Sequence, residues 1–134
     1  MVIVYADLGC PHCAGAWREI VARPATIVFR HFPVASKHSR AGALHAAAEA
    51  AGLQGRFFEM VDSLYADRGH IDDPHLWERV ERFGLDLARF EADRRSDAVA
   101  ARVRRDFESG IRAGVTTTPA LFLASSGCNV FSSS

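Results

Sequence analysis

Lysine is almost missing from this chain: Lys37 is the only one in 134 residues, and arginine carries nearly all the positive charge. Net charge is missing as well, with 16 basic residues against 16 acidic ones. A chain without a positive excess is not built to coat a nucleic acid, whose phosphates must be neutralised. No apolar run approaches the roughly 18 residues that a membrane-spanning helix needs. The start, Met1 followed by Val2-Ile3-Val4-Tyr5, has neither the basic n-region nor the small-residue cleavage site of a signal peptide. The expectation is a cytoplasmic protein as written, or an exported or periplasmic one if the chain is a trimmed mature form. Cysteine is scarce: three residues cannot staple a disulfide scaffold, and an odd count reads as a pair plus a spectator. Repeats and low-complexity linkers are also lacking. What remains, 49% hydrophobic and 24% charged, is the composition of an ordinary globular chain, long enough for one domain spanning 1–134.

Val2–Tyr5 is β-branched and aromatic and reads as a buried strand. Pro11 suits the first turn of a helix, where its missing N–H costs nothing. That helix is expected to reach Ala22, with Pro24 at its exit and a second strand at Thr26–Phe32 closed by Pro33. Strand, helix and strand in about 30 residues make a right-handed βαβ unit with parallel strands. The middle reads as helices throughout. Ser39 is the expected N-cap of an alanine-rich helix ending at Gly52. Phe57, Phe58, Val61 and Leu64 give the next its apolar face, and Leu76, Trp77 and Val80 face inward on a third that Asp73-Pro74 opens and Gly84 stops. Asp86 starts a short one. Ser96 caps a longer one with a Val99, Val103, Phe107, Ile111 stripe that Gly114 terminates. A strand at Ala120–Ala124, a Ser-Ser-Gly turn and a short strand ending at Phe131 complete the pattern. Residues 1–35 and 115–131 therefore form a sheet core with one helix, and residues 36–114 a helical insertion.

The chemistry lies in "LGCPHCAGAW", residues Leu8 to Trp17. Cys10 falls between a strand end and a helix start, where free N–H groups and the helix dipole favour an anion; His12, if protonated, adds a nearby positive charge. An unperturbed thiol, with a pKa near ~8.5, is only a few per cent ionised at neutral pH. Each unit of lowering stabilises the thiolate by ~1.4 kcal/mol, equivalent to ~30 mV in a two-electron couple, and turns the disulfide into a better oxidant. Cys13, one helical turn on, shares the face of Cys10 and is expected to be the less exposed of the two. Other readings stay open on the residues alone. Zinc needs four ligands, and neither a second Cys-x-x-Cys nor a His-x-x-x-His is present. Haem attachment needs histidine where Ala14 stands. Two unreactive core cysteines would sit oddly at a helix start, expected to be exposed. A Cys-x-x-Cys beside a βαβ pattern favours redox work.

Three stretches, "YADLGCPHC", "VFRHFPVASKHSRAGALHAAAEAAGLQGRFFEM" and "SGIRAGVTTTPALF", resemble the DsbA-like family of thioredoxin-fold disulfide oxidoreductases, over Val2 to Phe122. The resemblance implies an α/β thioredoxin-like fold with an inserted helical layer. It makes Cys10 the nucleophile, Cys13 the resolving cysteine, and Pro11 and His12 the dipeptide that tunes them. Pro119 matches a proline held in cis facing the disulfide, although an X–Pro bond is cis only about 5% of the time. Thr118 would then offer its backbone to an extended substrate in strand-like pairing. The implied activity is thiol–disulfide exchange with protein or peptide thiols through a mixed disulfide, with no cofactor beyond the Cys10–Cys13 disulfide, no metal, and a recycling partner not identified by the residues. The Pro-His dipeptide points to an oxidant, and a cytoplasmic location to a reductase or isomerase. The rivals are a non-catalytic thioredoxin-like module that grips extended peptides near Pro119, and a zinc-binding domain.

Asp7 matches an acidic position of the family and reads either as a proton relay or as a strand-end turn residue. His31, His38, His45, His70 and His75 read as structural or surface residues, Trp17 and Trp77 as core or groove aromatics, and Cys128 as a spectator. Two features depart from the family: a short connection from Cys13 to "TIVFRHF", and "GCNVFSSS" where a glycine and a C-terminal helix usually cover one sheet face. The expectation is a fold lacking that helix, and hence a homodimer or low stability.

Overall fold

Val2–Ala6 forms the central strand (β1) of a three-stranded sheet in the computed structural model, which describes residues 1–123. Ile27–His31 (β2) lies parallel on one side, with Val4 opposite Phe29. Ala120–Leu123 (β3) lies antiparallel on the other, with Val4 opposite Leu121. A parallel neighbour demands a crossover, and Pro11–Ala22 (α1) supplies it. The expected hairpin partner ending at Phe131, Ala124, Cys128 and the C-terminal stretch lie outside the described residues.

β1 is apolar without alternation because both of its faces are covered. Val4 and Ala6 enter the main core with Phe29, Trp17 and Leu44, whereas Tyr5, Phe32 and Val115 form a second cluster on the opposite face. Phe29 is fully buried, a burial worth ~2–3 kcal/mol. Between β2 and β3 run Ala41–Gly52 (α2), Phe57–Ala66 (α3), Asp73–Arg82 (α4), Leu87–Arg94 (α5) and Asp97–Arg112 (α6). α2 through α5 add Ala47, Met60, Leu64, Val80 and Phe90 to the main core. α6 crosses the second face, and there a Cβ on Gly110 would meet the Phe32 ring at 2.7 Å.

Helix boundaries follow local chemistry. Ser96 and Asp86 cap α6 and α5 by accepting the N–H groups of Val99 and Arg89. Gly84 and Gly114, with φ of 71° and 86°, end α4 and α6 as expected. Ser39 does not cap α2: Arg40 occupies the N-cap position without a side-chain bond, and its guanidinium instead reaches the Ile71 carbonyl and Asp73. Asp73-Pro74 opens α4 as expected, and Asp72 caps it by accepting the His75 N–H. Three expected core residues lie on the surface: Phe58, Trp77 and Ile111. Phe58 stacks on Trp17, and the Trp77 indole donates to Glu91, so each covers a neighbour from outside. On α6 the buried positions include Asp106 and Gly110, because the helix is aligned to let Gly110 approach β2.

Arg79 of α4 is buried, and its guanidinium donates to Ser63 Oγ at 2.7 Å, the His70 carbonyl at 2.6 Å and the Asp67 carbonyl at 3.2 Å. It thereby satisfies the free carbonyl end of α3 and the loop leading to α4.

Candidate active site

β1 ends at Ala6, and the next four residues turn sharply into α1. The Cys10 N–H donates to the Asp7 carbonyl at 3.1 Å, and the Asp7 carboxylate Oδ1 accepts the Gly9 N–H at 2.9 Å. Gly9 is required here, since a Cβ would come within 2.8 Å of His38 Cβ. Asp7 Oδ2 accepts the Val34 N–H at 3.0 Å and so ties this turn to the segment after β2. Cys10 is the N-cap residue of α1, with extended backbone and no side-chain cap bond of its own.

Cys10 and Cys13 are both free thiols. Cys13 points inward from the first turn of α1, on the same stripe as Trp17, and is 1% exposed. Cys10 is 7% exposed, which corrects the expectation that the cysteine at the helix start is exposed: the turn that follows β1 packs its thiol against the core. The Cys13 Sγ accepts the Asp7 backbone N–H at 3.5 Å, with the Thr118 side chain and Cys10 beside it. Burial, reinforced by the neighbouring Cys10, pushes the Cys13 thiol up to about 12, against a partial offset from the bonds of the Asp7 N–H and the Thr118 side chain. Cys13 therefore holds its proton at neutral pH.

Pro11 and His12 form the exposed start of α1. Thr118 and Pro119 are half-buried just ahead of β3, and the peptide bond between them is cis. Thr118 is thus brought to the cysteine pair from the far end of the chain, through the pairing of β3 with β1. Trp17 backs the pair: its indole donates to Asp62 at 2.6 Å, and its ring packs edge-on against Phe29. Tyr65 donates its hydroxyl to the Asp7 carbonyl at 3.0 Å, and burial raises it well above the ordinary phenol range. Among the described residues, no group of three or more His, Cys, Asp or Glu is arranged to hold a metal ion.

His31 and His45, expected to be structural or surface residues, are structural ones and are not scattered. They are fully buried and face each other, Nδ1 to Nδ1 at 2.7 Å. His45 Nε2 lies 3.0 Å from the Leu8 N–H and 3.5 Å from Asp7 Oδ1, and His31 Nε2 lies 2.7 Å from Glu49. Burial lowers His45 to about 4, so its ring stays neutral. Asp7 is held below the ordinary carboxylate range: burial works to raise it, and the bonds from His45, Gly9 and Val34 overcome that. The sequence signal for this network is thin. A lone histidine inside "GALHAAAEAA" is apolar on every side, and only a buried polar partner makes such a position tolerable.

Comparison with known proteins agrees with this fold. The thioredoxin-like oxidoreductase of Silicibacter pomeroyi DSS-3 superposes with a TM-score of 0.78 at 23% identity, over 90% of this chain and 72% of that one. For α-DsbA2 of Wolbachia pipientis, a thiol-disulfide exchange protein, the values are 0.78, 18%, 90% and 68%. DsbA2 of Pseudomonas aeruginosa gives 0.70 at 25% identity, over 90% and 71%. Among curated proteins, the Na(+)/H(+) antiporter NhaA 1 of Salinispora arenicola is 38% identical over 130 residues, 91% of this chain and 20% of the antiporter. The antiporter NhaA of Herminiimonas arsenicoxydans is 34% identical over 129 residues, again 91% and 20%. The chain spans about a fifth of the length of the curated relatives it matches. No helix among the described residues is long and apolar enough to cross a membrane. The DSBA-like thioredoxin domain model runs from residue 1 to residue 133, across the cysteine turn, the helical layer and β3 alike, and to that family the chain belongs.

Proposed function

We propose that this chain exchanges a Cys10–Cys13 disulfide with the thiols of protein or peptide substrates. The observation that carries the reading is Cys10 at the N-cap of α1 with Cys13 buried one turn behind it. In the oxidising direction a substrate thiolate attacks Cys10 Sγ, the Cys10–Cys13 bond breaks, and Cys13 leaves and takes up a proton. A second substrate thiolate then attacks the substrate sulfur of the mixed disulfide and expels Cys10 as thiolate. The free N–H groups at the start of α1 favour that anion, and Thr118 offers its backbone to an extended substrate chain. Pro11 and His12 tune the pair, and no cofactor beyond the disulfide takes part.

Insulin reduction and oxidation of a reduced peptide, each with Cys10→Ser as control, test the assignment. Loss of both activities in the variant is expected. Activity that survives the substitution refutes the role of Cys10, and a wild type without either activity leaves the non-catalytic binding module as the better account. The reduction potential of the couple then assigns the direction, oxidant or reductant.

The antiporter relatives favour a second reading, of context rather than chemistry: the same exchange carried out in the company of an ion transporter. Cys13→Ser traps substrates as mixed disulfides, because nothing internal displaces them. Recovery of a sodium/proton antiporter among proteins trapped in cells supports this reading, and its absence from them counts against it.

A further inference from the structure

The buried stripe of α3 includes Val61, Leu64 and Tyr65. A phenylalanine would fill the space of Tyr65 equally well, with its ring centroid 5.8 Å from that of Trp17. Only the hydroxyl sets the two apart. It donates to the Asp7 carbonyl at 3.0 Å, the same oxygen that accepts the Cys10 N–H at 3.1 Å. Asp7 also donates its own N–H to the Cys13 Sγ at 3.5 Å. The Tyr65 hydroxyl thus sits over the main chain that joins both cysteines, with the Cys13 side chain in hydrogen-bonding reach. We infer that Tyr65 is a catalytic residue, whose hydroxyl turns from the Asp7 carbonyl to the Cys13 sulfur whenever that sulfur carries negative charge.

The inference rests on the thiol-exchange reading above and adds the donor that makes the inner sulfur usable. In closure the S–H bond of Cys13 breaks and its proton goes to water. The electron pair left on Cys13 attacks Cys10 Sγ. The mixed disulfide then breaks, its electrons pass to the substrate sulfur, and the departing thiolate takes up a proton from water. In opening, a substrate thiolate attacks Cys10 Sγ, and Cys13 leaves with the electrons of the disulfide and is protonated from water. Both directions pass through a transition state with negative charge on a sulfur that is 1% exposed. A neutral hydroxyl supplies there what solvent would, a hydrogen bond to the anion. Rotation about its C–O bond is enough, because a hydroxyl hydrogen turns to suit its partner. The Asp7 carbonyl is not stranded meanwhile, since the Cys10 N–H still occupies it.

The other groups beside this hydroxyl cannot replace it. The Asp7 carboxylate accepts the Gly9 and Val34 N–H groups and, held ionised, has no proton to donate. Asp62, on the same helix as Tyr65, accepts the Trp17 indole N–H. Thr118 reaches Cys13 from the segment ahead of β3 and adds a donor of its own. Burial holds the Tyr65 phenol well above its ordinary range, so it keeps its proton while it donates.

Tyr65→Phe tests the assignment, because it removes the hydroxyl and keeps the ring. A hydrogen bond to a charged group is worth roughly ten- to a hundredfold in an equilibrium. About half of that, on a logarithmic scale, reaches the rate, since a stabilised thiolate is also a weaker nucleophile. The rate at which Cys13 resolves a preformed mixed disulfide on Cys10, followed by stopped-flow tryptophan fluorescence at pH 7, is expected to fall by about three- to tenfold. Opening of the disulfide by a reduced peptide is expected to slow by the same factor. The reduction potential is expected to stay unchanged, because Cys13 is uncharged in both end states and the bond forms only between them. A ring-fluorinated tyrosine in place of Tyr65, a stronger donor of the same shape, is expected to speed both directions, which a packing role would not allow. A slowing of less than about threefold in Tyr65→Phe, a slowing matched by a shift in potential, or a fluorinated variant no faster than wild type overturns the assignment. Exchange that is as absent from the wild type as from Cys10→Ser sinks the underlying functional reading instead, so the two failures are told apart.

Discussion

Replacing Asp7 with asparagine removes one charge and one acceptor from a fully buried position and leaves the shape almost unchanged. The carboxylate accepts the Gly9 N–H at 2.9 Å and the Val34 N–H at 3.0 Å. Asparagine can accept one of these through its carbonyl but turns an NH2 group towards the other, leaving a buried donor unpaired. Losing one charge-assisted bond and stranding its partner costs about 2–4 kcal/mol, or ~10 °C in Tm for a chain of this size. Asp7 lies below its unfolded value in the folded chain. Its contribution is therefore complete above about pH 4, where the unfolded group ionises, and is lost as pH falls through the lowered folded value. Urea melts of wild type and Asp7→Asn from pH 7 to pH 3 should show a gap of that size at neutral pH, closing only at the acid end. A variant within 1 kcal/mol of wild type at pH 7, by the arithmetic above, would falsify the claim that this carboxylate holds the turn in front of Cys10.

His45 is lowered to about 4 in the folded chain against about 6.5 unfolded. The folded state binds fewer protons between those values, so stability is complete above pH 6.5 and falls by up to about 3 kcal/mol on the way to pH 4; His45→Gln should flatten that slope in thermal melts. With Cys13 pushed up to about 12, its alkylation in the Cys10→Ser variant should stay slow through pH 9, and half-maximal rates below that pH would contradict its placement. Gly110→Ala puts a methyl group 2.7 Å from the Phe32 ring and should cost about 1–3 kcal/mol; a neutral result in urea unfolding would mean that α6 can back away from β2 freely.

The order β1, α1, β2 and the ends of α4 and α6 are legible because each rests on neighbours in sequence: a proline at N1, serine at a cap, glycine where φ turns positive. The cysteine pair is legible for the same reason. What eludes sequence reasoning depends on partners far along the chain. Phe58, Trp77 and Ile111 fit their apolar stripes, but periodicity marks a face without saying how much of it a neighbour covers. Ser39 has the chemistry of a cap, yet Arg40 anchored on Ile71 and Asp73 determines where α2 begins. His31 and His45 stand 14 residues apart on a strand and a helix, and only the packing of α2 over β2 makes them one unit.

The guanidinium of Arg79 joins α3 to the loop before α4 by donating in several directions from one rigid plane. Lysine would keep the charge but concentrate its donors at a single point, out of reach of the spread of carbonyls. That corner fixes the carbonyl end of α3, the same helix that carries Asp62, the acceptor of the Trp17 indole behind the cysteines. Amide hydrogen exchange along residues 63–75 would report how firmly that corner is held, and so how rigid a backing the cysteine helix works against.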